Sequence, residues 1–199
     1  MSNMGNLNMK FDSGFQNMDT SVYKIPREGY LPPKIKYLIV AESPPAFIGE
    51  KPKAYFYFPD VPKADSLFYS LVNALLDFKF EKYIHNRIQV LNKFKENGFY
   101  LVDIVDYPIN KDRSNMDIDN FTRNLLIRKN RKQFENHLKT LIDRGHMDND
   151  TKALLIKETV YSEYSKHPLL NVINKNYIGF PSYVNDRGFA EKVRDCLRH

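Results

Sequence analysis

The chain has 199 residues, which suits a single domain, and its 42% hydrophobic and 14% aromatic content supplies a core and excludes a disordered chain. The longest apolar runs, such as residues 37–41, fall far short of the ~20 residues that cross a bilayer, so a soluble monomer with no membrane partner is expected. A net charge of +6 is compatible with a polyanionic partner without establishing one. The single cysteine, Cys196, excludes an intramolecular disulfide and a cysteine-based metal cluster, with a reducing, cytoplasmic location as the default.

In chain order, residues 1–22 read as a flexible arm, rich in Asn, Met and Ser and lacking a signal peptide's apolar stretch, and residues 23–199 as the folded domain. Pro26, Pro32 and Pro33 predict an extended approach to a buried strand over residues 34–40, stopped by Pro44 and Pro45. Residues 47–62 form a long proline-rich loop around Tyr55, Phe56, Tyr57 and Phe58, and loops of that length are commonly functional. Asp65 or Ser66 caps a helix with Leu67, Phe68, Leu71, Val72, Leu75 and Leu76 on one stripe. A second helix carries Ile84, Ile88, Leu91 and Phe94 and closes at Asn97 and Gly98.

The second strand spans residues 99–105, and a polar loop through Lys111 and Arg113 leads to one long helix over residues 118–142, ending near Gly145. A third strand over residues 153–156, a short helix over 158–166, a fourth strand over 177–180 and a last helix capped by Asn185 or Asp186 complete the order. Strands alternating with helices imply a three-layer α/β/α sandwich with a mainly parallel four-stranded sheet, whose ligands bind beyond the strands' carboxyl ends. The segments 42–45, 106–113 and 181–187 converge there.

Several chemistries lose support. No glycine-rich phosphate loop and no G-x-S-x-G elbow is present, and the five histidines show no ligand spacing, so neither a metal nor a cofactor is assigned. What remains is Glu42, a carboxylate just past a buried strand, either poised to orient a water or paired with a basic residue. Tyr55 to Phe58 read equally as a stacking surface for a planar base or as an irregular strand packing inward. Of Asp103 and Asp106, one reaches the pocket and the other caps or pairs. Arg123, Arg128, Lys129, Arg131 and Lys132 cover one exposed helix face, either solvated or in contact with phosphate. Ser182, Asn185 and Arg187 form a loop for contacts or for capping.

The order of these segments resembles the uracil-DNA glycosylase superfamily across residues 35–198. Val40-Ala41-Glu42-Ser43-Pro44-Pro45 is similar to the family's first motif, residues 100–108 to its second strand and following proline loop, and Phe180-Pro181-Ser182 to its closing H-P-S motif. The resemblance implies a DNA glycosylase-like protein that hydrolyses the N-glycosidic bond of a flipped, damaged or non-canonical base. In that scheme Glu42 positions the attacking water, and Ala41, Ser43 and Pro44 belong to the pocket. Phe56 or Tyr57 stacks on the base, Asp103 stands where the family has a base-reading asparagine, and Pro181, Ser182 and Arg187 grip DNA. The chain departs from the pattern at Ala41 and Pro45, which replace glycines, and at Phe180, which replaces a histidine that stabilises the departing base. The departure at Phe180 favours an alternative: a catalytically inactive DNA- or nucleobase-binding protein on the same fold.

Overall fold

The computed structural model describes residues 19–48, 51–52, 54–59, 65–76, 86–109, 118–183 and 186–198. Four parallel strands form the central sheet in the order β4-β1-β5-β6: β1 (Tyr37–Ala41), β4 (Phe99–Asp103), β5 (Lys152–Leu155) and β6 (Asn171–Val172). Every residue of β4 is buried, as are all but the first of β1 and of β5, so both faces of the sheet are covered, as in an α/β fold. The helices are α1 (Ser21–Gly29), α2 (Ser66–Leu76), α3 (Arg87–Glu96), α4 (Asn120–Lys129), α5 (Arg131–Asp143), α6 (Glu158–Tyr164) and α7 (Arg187–Leu197).

Local signals account for most boundaries. The Asp65 carboxylate accepts from the Phe68 amide and caps α2, and the Asp186 carboxylate accepts from the Phe189 amide and caps α7. Gly98 closes α3 with φ +78°, and its carbonyl accepts from the Lys36 and Tyr37 amides at the start of β1. A Cβ at Gly98 would lie 2.8 Å from Lys36 Cγ, so only glycine fits this turn.

Five expectations are corrected. Residues 21 and 22 belong to α1, not to an arm, and residues 1–18 lie outside the described residues. Pro26 sits inside α1, a helix that buries Tyr23 and Arg27. The single long helix is two, α4 and α5, which meet at Asn130, whose side chain donates to the Leu126 carbonyl at 2.9 Å and to the Tyr107 hydroxyl at 3.1 Å. Ile88 is exposed, and Ile84, Lys111, Arg113 and Asn185 lie outside the described residues.

The fourth strand is β6, with residue 178 contributing only a bridge to Ile156. Between them the Asn174 side chain accepts from the Leu155 amide and donates to the Leu155 carbonyl, standing in for strand backbone. The proline-rich loop carries a two-residue hairpin, β2 (Phe47–Ile48) with β3 (Lys51–Pro52). Beyond it Tyr55, Phe56 and Tyr57 are core residues, packed inward.

Candidate functional site

Three chain segments leave the carboxyl ends of neighbouring parallel strands: Glu42 after β1, Ile104 to Asp106 after β4, and Ile156 and Lys157 after β5. Backbone pairing continues past the strands, since the Val105 amide donates to the Glu42 carbonyl at 3.1 Å and the Ile156 amide to the Val40 carbonyl at 2.9 Å. This continuation fixes the three segments against one another. Tyr23 of α1 holds the proline turn from outside by donating its hydroxyl to the Pro45 carbonyl at 2.7 Å.

The Glu42 side chain is 1% exposed and is clamped by cations. Arg123 of α4 donates from Nε to Oε1 at 3.3 Å and from Nη2 to Oε1 and Oε2 at 3.1 and 2.9 Å. Lys157 Nζ donates to Oε2, and the Thr159 hydroxyl to Oε1 at 3.3 Å. A carboxylate offers about four lone-pair sites, and five donor contacts reach this one. Burial pushes the Glu42 carboxyl up, but the Lys157 and Arg123 charges and hydrogen bonds outweigh it and hold the group below the ordinary carboxylate range. Glu42 is therefore ionised, and its lone pairs are taken. The expected water-positioning role is corrected: Glu42 is the paired acid of a buried ion cluster.

A cavity of about 290 Å³ opens beside this cluster. Ser43, Pro44, Pro45, Tyr55, Phe56, Leu101 and Phe180 line it, together with Asp65, Asp103 and Lys157. Asp65 is bound to Arg87 at 2.6 Å and caps α2, while Asp103 and Lys157, the latter also bound to Glu42, are the other carboxylate and the ammonium on the lining. Asp103 ends β4 opposite Ala41 and is 5% exposed. Burial raises its carboxyl to about 7; Arg27 opposes that shift and Asp106 adds to it. Asp106 itself is bonded to Arg27 at 3.2 Å and to Gln133 at 3.0 Å, so of the two aspartates Asp103 faces the cavity and Asp106 pairs.

A second concavity, a groove of about 480 Å³, shares Lys157 and Phe180 with the first and adds Asn120, Arg123, Asn124, Glu158, Thr159, Ser162 and Tyr177 to its lining. Lys157 is the one non-glycine residue with positive φ, +78°, among the described residues. Its amide donates to the Ile178 carbonyl at 2.7 Å, and its ammonium lies 5.5 Å over the Phe180 ring. A strained backbone at the end of a central strand is a feature of functional positions.

Of the expected site residues, Ser43, Pro44, Phe56 and Asp103 meet at the smaller cavity. Tyr57 does not: it is fully buried, and its hydroxyl donates to the Leu101 carbonyl and accepts from the Leu101 amide at the outer edge of β4. Ala41 is a buried strand residue whose carbonyl accepts from Ile104. Pro181 is buried and Ser182 and Arg187 are exposed near the start of α7, where Ser182 donates its amide to Asp186. Of the basic residues, Arg123 turns inward to Glu42, while Arg128, paired with Glu163, Arg131, paired with Glu135, Lys129 and Lys132 stay exposed.

The residues that sequence reasoning missed are Lys157, Thr159, Tyr23 and Arg27. Lys157 carried a usable signal, because a lysine directly after a buried parallel strand occupies the same strand-end position as Glu42. Among the described residues no group of three His, Cys, Asp or Glu side chains is arranged to hold a metal ion, and no helix is long and apolar enough to cross a membrane. No protein-family model matches the chain, and neither does a curated protein or a solved structure.

Proposed function

We propose that the protein binds a nucleobase in the 290 Å³ cavity, with DNA bearing a flipped base as its partner. The observation that carries this reading is the pairing of flat walls with a polar edge: Pro44, Phe56 and Phe180 offer apolar surface, while Asp103 and Lys157 reach the same space. Small-molecule sites have this make-up, a mostly apolar wall with a few placed polar groups, and a volume just under the usual ~300–1,000 Å³ suits one heterocycle. A protonated Asp103 donates and accepts one hydrogen bond each, as an amide does, whereas the ionised form only accepts. With burial holding its carboxyl near 7, both forms exist around neutrality. The resemblance of residues 40–45, 100–108 and 180–182 to the uracil-DNA glycosylase superfamily supports the same reading.

A second reading, hydrolysis of the N-glycosidic bond, is favoured by one observation: Asp103 titrates near neutrality inside the cavity, as a general acid or base does. In that case Asp103 in its ionised form, and not Glu42, is the general base that takes a proton from the attacking water. Calorimetric titration with free bases and deoxynucleosides tests the first reading. Binding that is lost in both Asp103→Ala and Lys157→Met supports it, and no binding of any base or nucleoside defeats it. Oligonucleotides bearing uracil, hypoxanthine, xanthine or alkylated bases, treated with alkali after incubation, test the second. Strand cleavage abolished by Asp103→Asn supports hydrolysis; intact strands with binding retained leave a binding protein.

A further inference from the structure

We infer that the 480 Å³ groove holds a phosphate ester attached to the ligand whose base lies in the neighbouring cavity, an inference that rests on the nucleobase reading. The two concavities share Lys157 and Phe180, so a ligand longer than one heterocycle passes from one to the other over those side chains. The ion cluster between them is asymmetric. Glu42 is sealed at 1% exposure, while Arg123 and Lys157 are 20% and 25% exposed and both line the groove. Glu42 thus acts as a positioning residue. It faces inward, holds two long cationic side chains in one arrangement, and leaves their outer surfaces toward the groove.

The rest of the lining continues the pattern. Asn120, Asn124, Thr159 and Ser162 are neutral hydrogen-bonding side chains, and Tyr177 and Phe180, 51% and 46% exposed, offer ring surface to a sugar or a neighbouring base. Guanidinium and ammonium groups are the usual partners of phosphate oxygens. Glu158 is the opposing charge; it is exposed on the first turn of α6, where water screens it, unlike the sealed Glu42. The phosphate comes from either a free nucleotide or a nucleic-acid strand.

The test compares each deoxynucleoside with its 5′-monophosphate, and with a short single-stranded oligonucleotide of the same base, by calorimetry at two salt concentrations. The readout is the ratio of monophosphate to nucleoside affinity. A ratio of tenfold or more is expected, falling toward one in Asn124→Asp, which places a negative charge on the groove lining without replacing a member of the Glu42 cluster, and rising in Glu158→Gln. A further, steeply salt-dependent gain for the oligonucleotide assigns the phosphate to a strand; its absence assigns it to a free nucleotide. A wild-type ratio near one overturns the groove assignment and leaves the nucleobase reading standing. A ratio unchanged by Asn124→Asp also overturns it, by placing the phosphate elsewhere. If neither nucleosides nor monophosphates bind, both are overturned.

Discussion

Replacing Asp103 by asparagine should make the protein more stable at neutral and alkaline pH, and should do so in a pH-dependent way. The ordinary aspartate value is 3.8, and burial lifts Asp103 to about 7 in the folded chain. The folded state therefore binds the proton more tightly than the unfolded state. The contribution of Asp103 to stability is full below pH ~4, falls as pH rises through the interval between the two values, and levels off above pH ~7. At about 1.36 kcal/mol per pH unit between 3.8 and 7, ionising Asp103 costs roughly 4 kcal/mol by pH 8, a large share of a small domain's stability. The groups that set this balance come from four elements: Arg27 of α1 and Lys157 after β5 favour the ionised form, while Asp106 after β4 and Glu42 after β1 oppose it. Asparagine keeps the shape and removes the titration. Urea unfolding of wild type and Asp103→Asn between pH 4.5 and 8.5 reads the effect directly, as a gap in midpoint that opens with pH. A gap that is constant across the range, or an asparagine variant that is weaker at pH 8, would refute the reasoning. Asp103 would then be a stably ionised partner of Arg27 or Lys157, and its dual donor and acceptor capacity would be lost.

Glu42→Gln removes the charge that two partly buried cations share and turns an amide N–H₂ toward Arg123 or Lys157; breaking a buried pair in this way costs about 3–5 kcal/mol, read as a lower urea midpoint. The low value of the Glu42 carboxyl makes its own contribution complete above pH ~4.5 and lost as pH falls through the lowered value, so the two variants should respond to acid in opposite senses. Tyr57→Phe strips the outer edge of β4 of the one hydroxyl that serves both the Leu101 amide and the Leu101 carbonyl. Two unsatisfied buried groups cost about 1–3 kcal/mol each, and the Leu101 amide should exchange faster with solvent deuterium. Lys157→Gly should be more stable than Lys157→Ala by about 1 kcal/mol, because only glycine relieves a φ of +78°; equal midpoints would mean that this backbone carries no strain.

How much of this was legible beforehand differs between fold and site. The parallel sheet was readable because β1, β4 and β5 are short, continuous apolar runs bounded by turn residues, the signature of strands buried on both faces. The caps of α2, α3 and α7 were readable for a similar reason, since Asp65, Gly98 and Asp186 act on amides or turns within three residues of themselves. Failures came where a side chain overrode the local pattern from a distance. Asn130 stands at the break in a continuous helical stripe, bonding Leu126 and Tyr107, and Asn174 replaces strand backbone, with the fourth strand six to eight residues before the apolar run that suggested it.

The site shows the same division. Position along the chain placed Glu42, Ser43, Pro44 and Asp103 at one sheet edge, because the end of a parallel strand is a local property. What Glu42 does there is not local. Its role depends on Arg123 and Lys157, 81 and 115 residues away, and a motif of six residues looks identical whether its acid meets open space or two cations. Once both cations close on it, the acid ceases to be a reagent and becomes the anchor of a positively charged wall. The chemistry available to a ligand then shifts to the neighbouring Asp103, which burial raises to about 7, so that both its forms exist around neutrality, and to the ammonium of Lys157, held at the meeting of two concavities by a backbone conformation that lysine adopts only at a cost.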